Sequence, residues 1–66
     1  MTRQTKNIHR QQVLDVLYDG PMTAAEIREA TGLPDRIVQG ALQSLHIRGT
    51  VDRIDISARR REWVVA

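Results

Sequence analysis

Gln39 and Gln43 stand four residues apart, with Arg36 three residues before the first and Gly40 between them. Each glutamine amide carries a donor and an acceptor side by side, and residues four apart on a helix face the same way. Such a row does the chemistry of hydrogen-bond recognition. A second group, Arg59-Arg60-Arg61, sets permanent cations in consecutive positions, and Arg48 and Arg53 precede it. Guanidinium groups pair with the oxygens of carboxylates and phosphates. Covalent chemistry has no comparable foothold. His9 and His46 are far apart, with no cysteine or acid at metal-ligand spacing, and no glycine-rich phosphate loop is present. The chain is read as a non-enzyme that needs no metal or cofactor.

The elements that would hold these residues centre on Thr23 to Leu45. Thr23 followed by Glu26 is a capping box, in which each side chain satisfies a backbone N–H left open at a helix start. It predicts a helix over Ala24–Thr31 with Ala24, Ile27 and Ala30 on its inner face. Gly32 stops that helix, Leu33 plugs the turn, and Pro34 suits the start of the next helix. Val38, Ala41, Leu42 and Leu45 then recur at i, i+3, i+4, i+7, the spacing of one buried face. The opposite face is Asp35, Arg36, Gln39, Gly40 and Gln43, with Ile37 at its edge. Asp35 is expected to act locally on the helix N-terminus.

Upstream, residues 1–6 read as a flexible tail and Asn7 as the N-cap of a helix to Tyr18, with Val13, Leu14 and Leu17 inward. Ile8 and Val16 lie off that stripe, as a subunit contact or as an exposed residue and a core residue. Asp19-Gly20-Pro21 is a strong stop, and Met22 becomes a strand only by pairing with something later. Downstream, Gly49 ends the third helix. Arg53–Ser57 and Glu62–Val65 alternate polar and apolar residues, the period of half-buried strands. Ala58–Arg61 is the arginine-rich loop between them, and Trp63 is placed to cover the core.

The resulting order, α-β-α-α-β-β, belongs to the α+β class and resembles the winged helix-turn-helix family of small prokaryotic transcriptional regulators. The resemblance rests on Gly20-Pro21-Met22-Thr23-Ala24-Ala25-Glu26-Ile27, Ala30-Thr31-Gly32-Leu33, the Val38–Leu45 stripe, and Arg48-Gly49-Thr50-Val51-Asp52-Arg53 leading into the wing. It spans residues 8 to 66, within a domain drawn at 7–66. It implies a partner, double-stranded DNA. The third helix would then lie in the major groove, with Gln39 and Gln43 reading adenine edges, Arg36 meeting guanine or phosphate, and Gly40 permitting close approach. Arg48 and Arg53 would contact phosphates, and Arg59, Arg60 and Arg61 would neutralise phosphates or enter the minor groove. Zα-type winged helices, which bind left-handed DNA, also carry a wing tryptophan like Trp63. Their helix asparagine and tyrosine look replaced here by Gln39 and Gln43, and their wing prolines by arginines, so that reading is set aside.

Composition bounds the alternatives. The chain has 66 residues, 41% hydrophobic and 3% aromatic, no cysteine, and net charge +2. A chain this short buries only about 60% of its unfolded surface, so a homodimer is expected on size alone. Absence of cysteine and of a long apolar run fits a cytoplasmic protein. Acids gather between residues 15 and 35 and arginines toward residues 36–66, which suits one face to a polyanion. The competing reading is a winged-helix module that binds protein and not DNA. It would more often show an apolar patch on the third helix, where this chain has a hydrogen-bonding face.

Overall fold

The computed structural model describes the backbone of residues 2–66 and the side chains of residues 8–66. Elements follow as α1 (Thr2–Leu17), β1 (Met22–Thr23), α2 (Ala24–Thr31), α3 (Asp35–Ile47), β2 (Val51–Asp55) and β3 (Arg61–Val65). This is the winged helix-turn-helix arrangement.

The central hairpin forms where its punctuation directs. Thr23 Oγ1 accepts the Glu26 N–H at 3.1 Å, and the Glu26 carboxylate accepts the Thr23 N–H at 2.8 Å, closing the capping box. Gly32 ends α2 at φ 72°, a left-handed conformation open to glycine without a Cβ clash, and its N–H reaches the Arg28 carbonyl at 2.9 Å. Pro34 opens α3 in an extended conformation, and its carbonyl accepts the Ile37 and Val38 N–H groups at 3.0 Å.

The sheet has the order β1-β3-β2, antiparallel throughout. Met22 pairs with Trp63 and Thr23 with Glu62, so the short strand before the hairpin is stitched to the last strand of the chain. Val13 and Leu17 of α1, Ile27 of α2, Val38, Ala41, Leu42 and Leu45 of α3, Val51 of β2 and Trp63 of β3 form the buried core. Leu14, Val16, Met22, Ala24, Leu33 and Val65 pack around it. Val16 is partly buried against this core, and Ile8 is exposed.

Several boundaries differ from the sequence expectation. The helix α1 begins at Thr2, not Asn7, so residues 2–6 of the expected tail continue the helix, and Met1 lies outside the described residues. Residues 2–19 hold no glycine or proline, and Arg, Gln and Lys sustain a helix well, so nothing stops it at Asn7. Ala30 is exposed. It and Ala24 flank Ile27 on opposite sides of α2, and the Ala24 side is the one packed on the core. Strand β2 starts two residues early, at Val51, and β3 takes in Arg61. Val51 is the buried residue of β2, which puts its odd positions on the core side, so Ile54 and Ile56, expected to be half-buried, face outward and are exposed.

The two backbone and side-chain hydrogen bonds from Thr23 hold the Glu26 carboxyl below its usual range, with a weaker contribution from the charge of Arg60. A depressed folded-state value means that the stabilisation is complete above pH 4.5 and is lost as pH falls through the lowered value. Urea unfolding monitored by Trp63 fluorescence tests this directly. Thr23→Ala is expected to cost about 1 kcal/mol at neutral pH by removing one half of the box. Glu26→Gln, which keeps the hydrogen bond and loses the titration, should flatten the acid limb of the stability profile.

Candidate nucleic-acid interface

Burial of Val38, Ala41, Leu42 and Leu45 turns the other side of α3 to solvent, and Asp35, Arg36, Gln39, Gly40 and Gln43 are all exposed there. Asp35 is held locally, its carboxylate accepting from Arg28 Nη1 at 3.0 Å across the turn. A carboxylate engaged this way repels an incoming anion less than a free one. Gly40 has open space where a Cβ would stand. No packing within the chain therefore requires glycine at that position, although it weakens a helix interior relative to alanine.

His46 extends the row. It lies seven residues after Gln39 and three after Gln43, on the same helical face, and its ring meets Trp63 edge-on at 5.6 Å and 81°. The 39-43-46 spacing in the sequence already places it on that face. Trp63 itself is 9% exposed, so its indole serves the core and props the histidine.

The wing curls back through short bonds at its tip. Ser57 Oγ accepts the Arg59 and Arg60 N–H groups at 3.4 and 3.1 Å, and the Ile56 N–H meets the Arg60 carbonyl at 2.9 Å. The arginines are not equivalent. Arg60 donates twice to one Glu62 carboxylate oxygen, at 3.0 and 2.7 Å, and lies 3.8 Å from Glu26. The hydrogen bonds and charge of Glu62 raise the Arg60 pKa, with Glu26 adding less. Arg61 donates to Asp55 at 3.2 Å, and Arg53 lies 3.9 Å from the same carboxylate. Arg36, Arg48 and Arg59 carry no ion pair among the described residues.

Gln39, Gln43, His46, Arg53, Arg61 and Trp63 line one groove between α3 and the wing. Gln39 also borders a second groove, under the wing tip, with Thr23, Ala25, Arg59 and Arg60. Gln39, Gln43, Arg53, Arg59, Arg60 and Arg61 are therefore brought together. Arg36 and Gly40 sit on the flank of α3 that faces α1, sharing a groove with His9 and Arg10. Arg48 is the outlier, lining a separate hollow with Arg10, Gln11 and Leu14.

No curated protein sequence matches the chain. Among solved structures, the Zα domain of Carassius auratus PKZ, determined in complex with Z-DNA, has the same fold. Its TM-score is 0.83 at 19% identity, over 94% of this chain and 98% of that one. Residues 11–64 match the family described as sugar-specific transcriptional regulator TrmB. That match takes in the C-terminal part of α1, then β1, α2, α3, β2 and all of β3 but its last residue, and the chain belongs to the TrmB family of transcriptional regulators.

Proposed function

We propose that this chain is a sequence-specific, double-stranded-DNA-binding module that regulates transcription in the cytoplasm, acting as a homodimer on a repeated site. The observation that carries the reading is the outer face of α3. Gln39 and Gln43 are exposed with no hydrogen-bond partner among the described residues, and the unpaired cations Arg36 and Arg59 stand on either side of them. Family membership supports a regulator, and the DNA-bound Zα relative supports a winged helix at a duplex.

In this reading α3 enters the major groove. Gln39 and Gln43 each present a donor-acceptor pair to adenine N6 and N7, and the open position at Gly40 lets the helix axis approach the groove floor. Arg36 and Arg59 take phosphates on the two sides of the helix. Arg53 and Arg61 share Asp55 and supply a weaker field, and Arg60 acts mainly by fixing the wing. Arg48 contributes an outlying phosphate contact. A homodimer would read two half-sites, gaining the contacts that a single small module lacks.

Fluorescence anisotropy on random right-handed duplex across a salt series is the first test. Affinity should fall steeply with salt, and Arg59→Ala should reduce the slope by about 1, because each neutralised phosphate releases counterions. Arg60→Ala should change that slope less, its charge already being matched by Glu62. Gln39→Ala and Gln43→Ala should leave the slope intact and lose about 1–3 kcal/mol of discrimination at one base position each in a selected site. No binding at low salt would sink the DNA reading in favour of a protein partner, and preference for left-handed duplex would sink the major-groove assignment.

Gly40→Ala separates fold from function. The variant should gain up to about 1 kcal/mol of stability in urea unfolding, since the added Cβ meets nothing and alanine favours the helix. It should bind the selected site more weakly. Unchanged affinity would mean that the helix does not approach DNA at this turn.

A further inference from the structure

Strand β2 lies at one edge of the sheet, and residues 52–56 are exposed along it. Its pairing phase is set by the bonds that flank it. The Ala66 N–H donates to the Thr50 carbonyl at 3.0 Å and the Ile56 N–H to the Arg60 carbonyl at 2.9 Å. Antiparallel ladders bond every second residue. The register Asp52–Val64, Ile54–Glu62 therefore bonds inward at even positions, and the N–H and C=O groups of Arg53 and Asp55 point outward to the open edge.

We propose that this edge pairs with the same edge of a second copy, antiparallel, about a two-fold axis through Ile54. The inference rests on the homodimer reading above and adds the surface and the register. Only odd positions offer outward groups, so a two-fold pairing must set odd residues against odd. Centring on Arg53 or on Asp55 places like charges face to face, and centring on Asp52 opposes two aspartates. Centring on Ile54 sets Arg53 against Asp55 of the second copy twice, with four backbone hydrogen bonds. Cross-strand pairs of opposite charge stabilise a sheet and like pairs destabilise it.

The same register brings together the misplaced isoleucines. Ile54 of β2 and Ile56, just past the strand end, are 41% and 55% exposed on the outer side of the sheet. In the paired sheet Ile54 meets Ile54 of the second copy directly, and each Ile56 lies diagonal to it, within reach across neighbouring strands. Both α3 helices then lie on one side of a six-stranded sheet, the side that faces DNA. Assembly stops at two copies, because the opposite edge is the two-residue strand β1, preceded by Pro21.

The chain has no cysteine, so a single introduced thiol reports the register cleanly. Residue 54 is a non-hydrogen-bonded pair on the axis, with Cβ atoms about 4.5–5.5 Å apart, near disulfide range. Ile54→Cys should form a disulfide-linked dimer under mild oxidation. Asp52→Cys, on the same face of the same strand, should form no disulfide-linked dimer, its symmetry mate being about 14 Å away at the strand rise.

Sedimentation of the full chain gives the independent arm. Arg53→Asp and Asp55→Arg should each shift the dimer toward monomer, and the double variant should restore it. Circular dichroism checks that each variant is folded. A wild-type dimer unaffected by either swap, with no Ile54→Cys cross-link, would overturn this surface and leave the homodimer standing. A wild-type chain that is monomeric free and on DNA, with no cross-link, would overturn both.

Discussion

The stripe Val38, Ala41, Leu42 and Leu45 is the constraint from which the rest follows. All four are buried against α1, α2 and the sheet, and Val38 and Leu42 are wholly inaccessible. Burying a side chain of this size contributes about 1.5–3 kcal/mol relative to exposing it. Rotating α3 by one residue would surrender that term and bury Gln39 or Gln43 among aliphatic groups that offer no hydrogen bond, at a further cost of about 1–3 kcal/mol for each. The helix has one orientation available. Its outer face is thereby decided by its inner one, and the exposed Gln39 and Gln43 occupy positions that make no demand on the fold.

The same partition governs charge. Carboxylates are abundant near the arginines, and geometry decides which cations are spent within the chain. Glu62 is the least exposed of the acids that form ion pairs, its side chain 16% accessible, and it takes both donor bonds of Arg60. Asp55 is divided between Arg53 and Arg61 and is more exposed than either. Exposed pairs of this kind are worth at most about 1 kcal/mol and yield readily to a stronger anion. Arg59, at the tip, forms no ion pair among the described residues. A sequence of three equivalent arginines thus becomes three different groups: one free, one shared and one structural.

What could be read from the sequence was local. The capping box, the left-handed glycine at position 32, the proline start and the helical stripe each act within a few residues, and each forms as the residues imply. Even Met22 was legible, because a strand of two residues with no local partner has to pair with a later one, and Trp63 provides it. The differences concern register, length and, at Ala30, which flank of α2 packs on the core. Alternation in Arg53–Ser57 identifies a strand and leaves open which of its faces turns inward. That choice is made at Val51, whose burial beside Val65 assigns odd residues to the helix side and turns Ile54 and Ile56 out. The division of the arginines was equally out of reach, since it depends on carboxylates brought close by the hairpin.

Arg60 shows how the wing and the helix-turn-helix come to act as one surface. Its guanidinium is fixed by Glu62 on β3 and lies near Glu26, the carboxylate that closes the α2 cap. Glu62 also pairs in register with Thr23, the residue at the other half of that cap. The wing base, the short strand and the start of α2 therefore share one polar cluster, directly above a core that ends at Trp63. Motion of the wing tip relative to α2 would have to break the Arg60–Glu62 bonds and move the cap. The groove lined by Gln39, Arg59 and Arg60 lies beside that cluster. A chain with so small a core thus ties its wing to the start of α2 through polar contacts as well as through the sheet.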